Sequence, residues 1–360
     1  MKKTISLILV LSLILALIAG CTQQPSNAPT ETAAPVESAA PVESAAPVET
    51  SDAEPYRVAM VFNYNINDGG WNETAYNGLV RAEKELGVEI AYSENVETAD
   101  FDTVLRDYAA QGFDLIIPVG NQFNDAVMAV APDFPDVKFG VMNGNDFLAP
   151  NVAAYRYNTC ETGFLLGVIA ALYTEDNTVA YIGGAPQPHI QDALEAFGVG
   201  AKYVNPDIQV VTGYTTDQTD VASGKELATA FIEQGVDVLA ANCGKAIIGA
   251  IQACEEKGIK ALGCIGDYHS TAPDTVMVSA IQDNEGLIYA MIQSAVEGKF
   301  TPSLNLYGMA DGAIYLSDWY GHESELTTDD LAMIQKVIDG IKYGSLKADG
   351  ILPKSVYETK

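Results

Sequence analysis

The body of the chain begins with the stretch YRVAMVFNYNINDGGWN, residues 56–72. Its apolar run, Tyr56 to Phe62, predicts a buried strand, and apolar residues at helical spacing follow from Asn72 to Leu86. Between them lies a polar loop with two glycines, which let the backbone turn tightly. A strand, a polar loop and a helix in this order predict one unit of a parallel sheet covered by helices.

The same unit recurs along the body. The first series is predicted to contain helix Asn72–Leu86, strand Val88–Tyr92, helix Asp100–Gln111, strand Leu115–Gly120, helix Phe123–Val130 and strand Lys138–Asn143. A second series follows residues 151–158, with strands predicted near Val179–Gly183, Ile208–Gly213, Val236–Ala241 and Ala261–Ile265. Two such series predict an α/β fold with two Rossmann-like lobes.

The last part of the body is predicted to pass between these lobes. In order it should form a crossing segment at Val276–Gln282, a helix at Asn284–Val296, a strand near Ala313–Leu316 and a helix at Asp329–Ile341. Several crossings would create a hinge and a central cleft, at the carboxyl ends of the strands, where open α/β sheets bind ligands. We assign residues 55–158 plus 283–305 to lobe 1 and residues 159–282 plus 306–360 to lobe 2.

The N-terminus predicts export. Two lysines precede an apolar run at residues 5–18, which is too short to span a bilayer and is typical of a signal peptide, here residues 1–20. The sequence IAGC at residues 18–21 resembles a bacterial lipobox. Cys21 is therefore predicted to carry lipid and to hold the protein at the extracytoplasmic face of the cell membrane. An ordinary secretory signal with an incidental cysteine is the alternative.

Residues 21–54 are rich in Ala, Pro, Ser and Glu, and the sequence APVESA begins at Ala34 and again at Ala40. Such a composition cannot build a core and predicts a disordered tether behind the lipid-anchored cysteine. The whole chain has a net charge of −29, and its few Lys and Arg form no cluster. Nucleic acids and anionic lipid surfaces are therefore not expected as partners.

Polar residues follow the predicted strands at the edge where a ligand would bind. After the first strand come Asn63, Asp68, Trp71 and Asn72. The Trp71 ring could stack on a planar ligand, a contact worth roughly 1–3 kcal/mol per base in nucleic-acid-binding proteins, or it could fill the core beside an ordinary Asx turn. The other candidates at strand ends are Asn121, Asn143, Asn242, Asp267 and Gln282. Each alone suits a turn, but together they predict a pocket for a neutral planar or polyhydroxylated ligand.

Motifs for chemistry are missing from the sequence. Gly198-Val199-Gly200 lies in a helical stretch and lacks the third glycine of a dinucleotide motif. The histidines, all predicted to be surface or loop residues, are His189, His269 and His322. The body cysteines, which lack metal-site spacing and could be buried thiols or, among the last three, a disulfide, are Cys160, Cys243, Cys254 and Cys264. We therefore predict no catalytic residue, no cofactor and no metal.

The body resembles the basic membrane protein family of substrate-binding lipoproteins. Asn67 to Asn72 stands where the family has its Asp-Asp-x-Ser-Phe-Asn motif. Further matching stretches are Gln111 to Ile117, Phe134 to Phe139, Thr162 to Ala171, Tyr181 to Gly184 and Gly200 to Pro206. The resemblance covers most of residues 56–300 and implies a type I periplasmic-binding-protein fold, a permease and an ATPase as partners, and a purine nucleoside as ligand.

By position, the resemblance puts Trp71 in place of the family's base-stacking phenylalanine and Asp267 at its ribose-binding carboxylate. Three positions depart from the pattern: Asn143 replaces an Asp, Gln282 replaces a Lys, and Asn242 lies near an expected aromatic residue. Because an acidic and a basic residue are both replaced, the local charge stays balanced, while the groups that contact the ligand differ from those of the family. A nucleoside-binding importer component is the leading hypothesis. A binding protein for a sugar or another polar metabolite and a ligand-sensing lipoprotein are the alternatives, and a nucleoside hydrolase is disfavoured.

Overall fold

The computed structural model describes residues 54–67, 70–145 and 149–348. Its strands are β1 Arg57–Val61, β2 Glu89–Ser93, β3 Leu115–Pro118, β4 Lys138–Met142, β5 Val152–Tyr157, β6 Thr178–Gly183, β7 Gln209–Tyr214, β8 Val238–Asn242, β9 Lys260–Ile265, β10 Val276–Gln282, β11 Leu304–Tyr307 and β12 Ile314–Leu316. Its helices are α1 Trp71–Leu86, α2 Phe101–Ala110, α3 Asn124–Val130, α4 Thr159–Tyr173, α5 Pro188–Val204, α6 Val221–Ile232, α7 Ile247–Lys257, α8 Asn284–Val296, α9 Thr328–Lys342 and α10 Ser345–Ala348.

The strands form two six-stranded sheets with the same connectivity. The first has the order β2-β1-β3-β4-β5-β11 and is parallel throughout. The second has the order β7-β6-β8-β9-β10-β12, and its one antiparallel pair joins β10 to β12. The predicted α/β fold with two Rossmann-like lobes, a hinge and a central cleft is therefore confirmed.

Each sheet is covered by helices on both faces, as buried parallel strands require. In the first sheet, α2 and α3 pack on one face through residues such as Leu105 and Val127, and α1 and α8 pack on the other through Leu79 and Ile288. In the second sheet, α6 and α7 cover one face, while α4, α5 and α9 cover the other. Polar side chains can therefore gather at the ends of the strands rather than on the faces of the sheets.

Two features of the connectivity differ from expectation. Val276–Gln282, predicted to be a crossing segment, is strand β10 inside the second sheet, and the chain leaves that sheet at Asp283. Strand β5, which is mostly buried, and strand β11, a short edge strand with only half-buried residues, are not predicted from the sequence. The two pair with each other, and β11 forms one edge of the first sheet.

Candidate ligand-binding site

The strand order reverses between β1 and β3 in the first sheet and between β6 and β8 in the second. Such switch points are where doubly wound sheets bind ligands, beyond the carboxyl ends of the strands. In the first sheet, Asn63 follows β1 and Asn121 follows β3. Gln122, which the sequence reasoning missed, joins the two ends by donating from Nε2 to Asn63 Oδ1 at 2.8 Å. Asn63 and Asn121 thus lie on neighbouring loops.

Trp71 is the first residue of α1 and is half-buried. Its ring meets Tyr157 edge-on, with centroids 6.4 Å apart and an interplanar angle of 72°. Its carbonyl accepts a hydrogen bond from Asn284 Nδ2 at 3.3 Å, and Asn284 Oδ1 accepts one from the Tyr157 hydroxyl at 2.8 Å. Trp71 therefore packs partly on the core at the end of β5 and the start of α8.

Asn72 and Asn143 occupy different environments. Asn72 is buried, with an exposed fraction of 5%, in the first turn of α1. Asn143 has φ of 57°, a left-handed conformation that asparagine tolerates better than most residues. Its N–H donates to the Tyr155 carbonyl at 2.7 Å, so it forms the turn that ends β4. Asp68 and Cys21 lie outside the described residues.

The second sheet contributes Asn242 and Gln282, both buried last residues of strands. The Asn242 carbonyl accepts from the Gly184 N–H at 2.9 Å. Gln282 differs, because its Nε2 has no hydrogen-bond partner among the residues that the structure describes. A buried donor left in this state costs about 1–3 kcal/mol, which an acceptor on a bound molecule would relieve.

Asp267 follows β9 and is exposed, but both of its carboxylate oxygens already accept hydrogen bonds. Oδ1 accepts from the His269 N–H at 3.0 Å, and Oδ2 accepts from the Tyr320 hydroxyl at 2.5 Å. The bond to Asp267 raises the pKa of Tyr320 above its usual value. No signal in the sequence points to Tyr320, which is 53 positions away from Asp267.

His269 and His322 each begin a short 3-10 turn in a connection between longer elements, whereas His189 lies in a helix. His269 and His322 lie together, with ring centroids 6.2 Å apart, and His269 stacks on Tyr320 at 3.7 Å. His189 is the second residue of α5 and is half-buried. Burial, and secondarily Arg156, lower its pKa from 6.5 to about 4.

The four body cysteines are free and buried. Burial raises the pKa values of Cys243, Cys254 and Cys264 to about 12 and also raises that of Cys160. Thiols with such raised pKa values are poor nucleophiles, because the thiolate is the reactive form. Within residues 54–67, 70–145 and 149–348, no group of three or more His, Cys, Asp or Glu side chains could hold a metal ion.

The sequence matches a family model across most of the body. The Bmp model, described as ABC transporter substrate-binding protein PnrA-like, aligns with residues 56–346. The chain belongs to this family. A purine-binding protein of Brucella abortus is 32% identical to this Bmp-family chain over 271 residues, covering 73% of the chain and 75% of that protein. A putative ABC transporter glucose-binding protein of Haloferax volcanii is 25% identical over 289 residues, covering 80% and 73%.

A solved structure supports the fold of the Bmp-family chain. An ABC transporter solute-binding protein from Aeropyrum pernix superposes with a TM-score of 0.70 at 22% identity, covering 81% of this chain and 92% of that one. Substrate-binding proteins of ABC transporters act outside the cytoplasm, bind small molecules and deliver them to a permease and its ATPase. Among the described residues, no helix is both long and apolar enough to cross a membrane.

Proposed function

We propose that this substrate-binding protein captures a purine nucleoside or a related nucleobase in the cleft between its lobes. The observation that carries the proposal is the placement of Trp71. The residue is half-buried, its ring meets Tyr157 edge-on, and its backbone carbonyl accepts a hydrogen bond from Asn284. An aromatic ring fixed in this way next to the hinge supplies a face on which a purine can stack.

The polar residues of the site suit a neutral, hydroxylated ligand. Asp267 presents an exposed carboxylate that can accept hydrogen bonds from hydroxyl groups, and the buried Gln282 amide has a donor without a partner among the described residues. Asn63 and Asn121, on adjoining loops of the first sheet, add amide groups. The purine-binding relative from Brucella abortus favours the same class of ligand.

The test uses the full chain. Its two tryptophans are Trp71 and Trp319, so fluorescence can follow Trp71 once Trp319 is replaced. Purine nucleosides should raise its melting temperature, and Trp71→Ala should weaken nucleoside binding by roughly 10- to 100-fold because the stacking contact is lost. Trp319→Phe is the matched control and should keep full affinity. In this variant a nucleoside should still change the tryptophan fluorescence, since Trp71 is then the only tryptophan.

A sugar is the second candidate ligand, since a relative from Haloferax volcanii is named a putative glucose-binding protein. Stabilisation of the full chain by sugars but not by nucleosides would support a sugar as the ligand and contradict the nucleoside. Incubation with nucleosides should return them intact. Release of free base would instead identify a hydrolase.

We also propose that Cys21 carries lipid and that residues 22–54 tether the body to the membrane. Support comes from the lipobox-like sequence at residues 18–21 and from the composition of the segment after it. Mass spectrometry of protein extracted from membranes should find an acylated Cys21 as the first residue. An unmodified N-terminus would contradict this proposal and leave the ligand assignment untouched.

A further inference from the structure

The carboxylate of Asp267 is exposed, yet it is held from two directions. The N–H of His269, two residues further along, donates to Oδ1 at 3.0 Å. The hydroxyl of Tyr320, from a distant segment, donates to Oδ2 at 2.5 Å. An exposed aspartate would otherwise sample several rotamers, and ordering it on binding a ligand would cost conformational entropy.

Tyr320 is itself held in place by its neighbours. Its ring stacks on His269 with centroids 3.7 Å apart and an interplanar angle of 8°. Its φ of 54° is left-handed, which is uncommon for a bulky residue and indicates that surrounding contacts impose this conformation.

The segment after Tyr320 is anchored on the second lobe through His322. The His322 carbonyl accepts from the Tyr173 hydroxyl at 2.9 Å, and its Nε2 lies 2.8 Å from the Pro273 carbonyl oxygen. These contacts hold the segment that follows Tyr320 against α4 and the connection between β9 and β10.

An ionised carboxylate has about four acceptor sites, and the two protein bonds occupy one on each oxygen. One acceptor site on each oxygen stays open, and the Asp267 carboxylate that carries both sites has a fixed orientation. Two neighbouring hydroxyls, as on a ribosyl group, can each donate to a different oxygen of such a carboxylate. A free nucleobase has no such pair of hydroxyls.

We propose that Tyr320 is a positioning residue, which orients the Asp267 carboxylate and thereby makes the site prefer a ligand with two neighbouring hydroxyls over the free base. The inference rests on the proposed function, in which Asp267 contacts the ligand. Tyr320 acts through Asp267 and need not touch the ligand itself.

The experiment measures the Kd of the full chain for a purine nucleoside and for its free base by calorimetry. Tyr320→Phe should weaken nucleoside binding by roughly two- to tenfold, the scale expected for ordering one freed side chain on binding, and should leave base binding unchanged. Tyr315→Phe is the matched control. Tyr315 lies on β12, in the sheet that also contains β9, and Tyr315 and Tyr320 both have an exposed fraction of 48%. It should change neither Kd.

A double variant tests whether Tyr320 acts through Asp267. Asp267→Asn should weaken nucleoside binding, and adding Tyr320→Phe to it should cause no further loss. Additive losses would overturn the positioning role, as would equal losses for nucleoside and base. Tighter nucleoside binding by Tyr320→Phe would also overturn it, since Tyr320 would then compete with the ligand.

A measurement without ligand keeps the inference separate from the proposed function. Titration of the Tyr320 phenol by NMR should give a raised pKa, and Asp267→Asn should lower it. If this result holds but the wild-type chain binds no nucleoside, the proposed ligand is wrong, and the inferred preference for two neighbouring hydroxyls is wrong as well. The hydrogen bond between Tyr320 and Asp267 would still be established. An unchanged Tyr320 pKa would remove the contact on which the inference is built.

Discussion

At the scale of single residues, Asn284 shows how a site is held by a side chain that need not contact the ligand. Its exposed fraction is 2%, and it accepts from the Tyr157 hydroxyl while donating to the Trp71 carbonyl and to Thr74 Oγ1, 3.0 Å away. One amide therefore links β5, α1 and α8. Asn284 thereby holds the first turn of α1, and with it Trp71, against the end of β5 and the start of α8.

His189 carries a pH dependence that belongs to the same scale. Its pKa in the folded chain is about 4, below the value of 6.5 for a free histidine. Between these values the unfolded chain binds a proton that the folded chain does not, so the free energy of unfolding falls as the pH is lowered from 6.5 towards 4.

His189→Gln should remove this contribution. Urea denaturation of both proteins across the same pH range should therefore show a steeper loss of stability for the wild-type chain. Comparing the two proteins is necessary because the many carboxylates also titrate in this range, and they are common to both. Parallel stability curves would contradict the assignment.

At the scale of elements, α4 and α5 pack unusually closely. A Cβ atom added at Gly163, Gly167 or Gly200 would collide with a backbone carbonyl oxygen of the facing helix. Gly200 is one of the two glycines in Gly198-Val199-Gly200, and its role is close helix packing. The two glycines are only two residues apart, yet a Cβ at Gly198 would meet its nearest neighbour at an ordinary 3.9 Å.

This difference predicts opposite effects of the same substitution. Gly200→Ala should lower the free energy of unfolding by about 1–3 kcal/mol, because the backbones of α4 and α5 must separate. Gly198→Ala should leave stability unchanged or raise it by up to about 1 kcal/mol, because alanine favours the helix. Denaturant titration of the two variants measures both effects, and an equal loss in both would mean that helix contact does not decide the outcome.

At the scale of the whole molecule, the chain passes between the two sheets at three places, near Asn158, Asp283 and Gly308. A buried carboxylate ties two of them together. Glu161 Oε2 accepts from the Met309 N–H at 2.6 Å, and its Oε1 accepts from Asn158 Nδ2 at 2.9 Å. Hinge closure around a ligand would bend the backbone at such crossings, between two lobes that keep their own cores. The exact boundaries assigned to the lobes stay a prediction.

The sequence by itself determined the α/β class, most strands and helices, and the loops on which the site residues lie, because apolar periodicity and turn residues act over short stretches. It also carried the family resemblance. It did not predict strand β11, whose half-buried residues leave a weak apolar pattern.

Only the tertiary structure decided which side chains meet. Tyr320 reaches Asp267 across 53 positions, and Asn284 reaches Trp71 across 213. It also placed His269 beside His322 and left the Gln282 donor without a partner among the described residues. Local pattern specifies a residue's element and the direction of its side chain, whereas a contact between distant segments depends on how the sheets, helices and crossings pack.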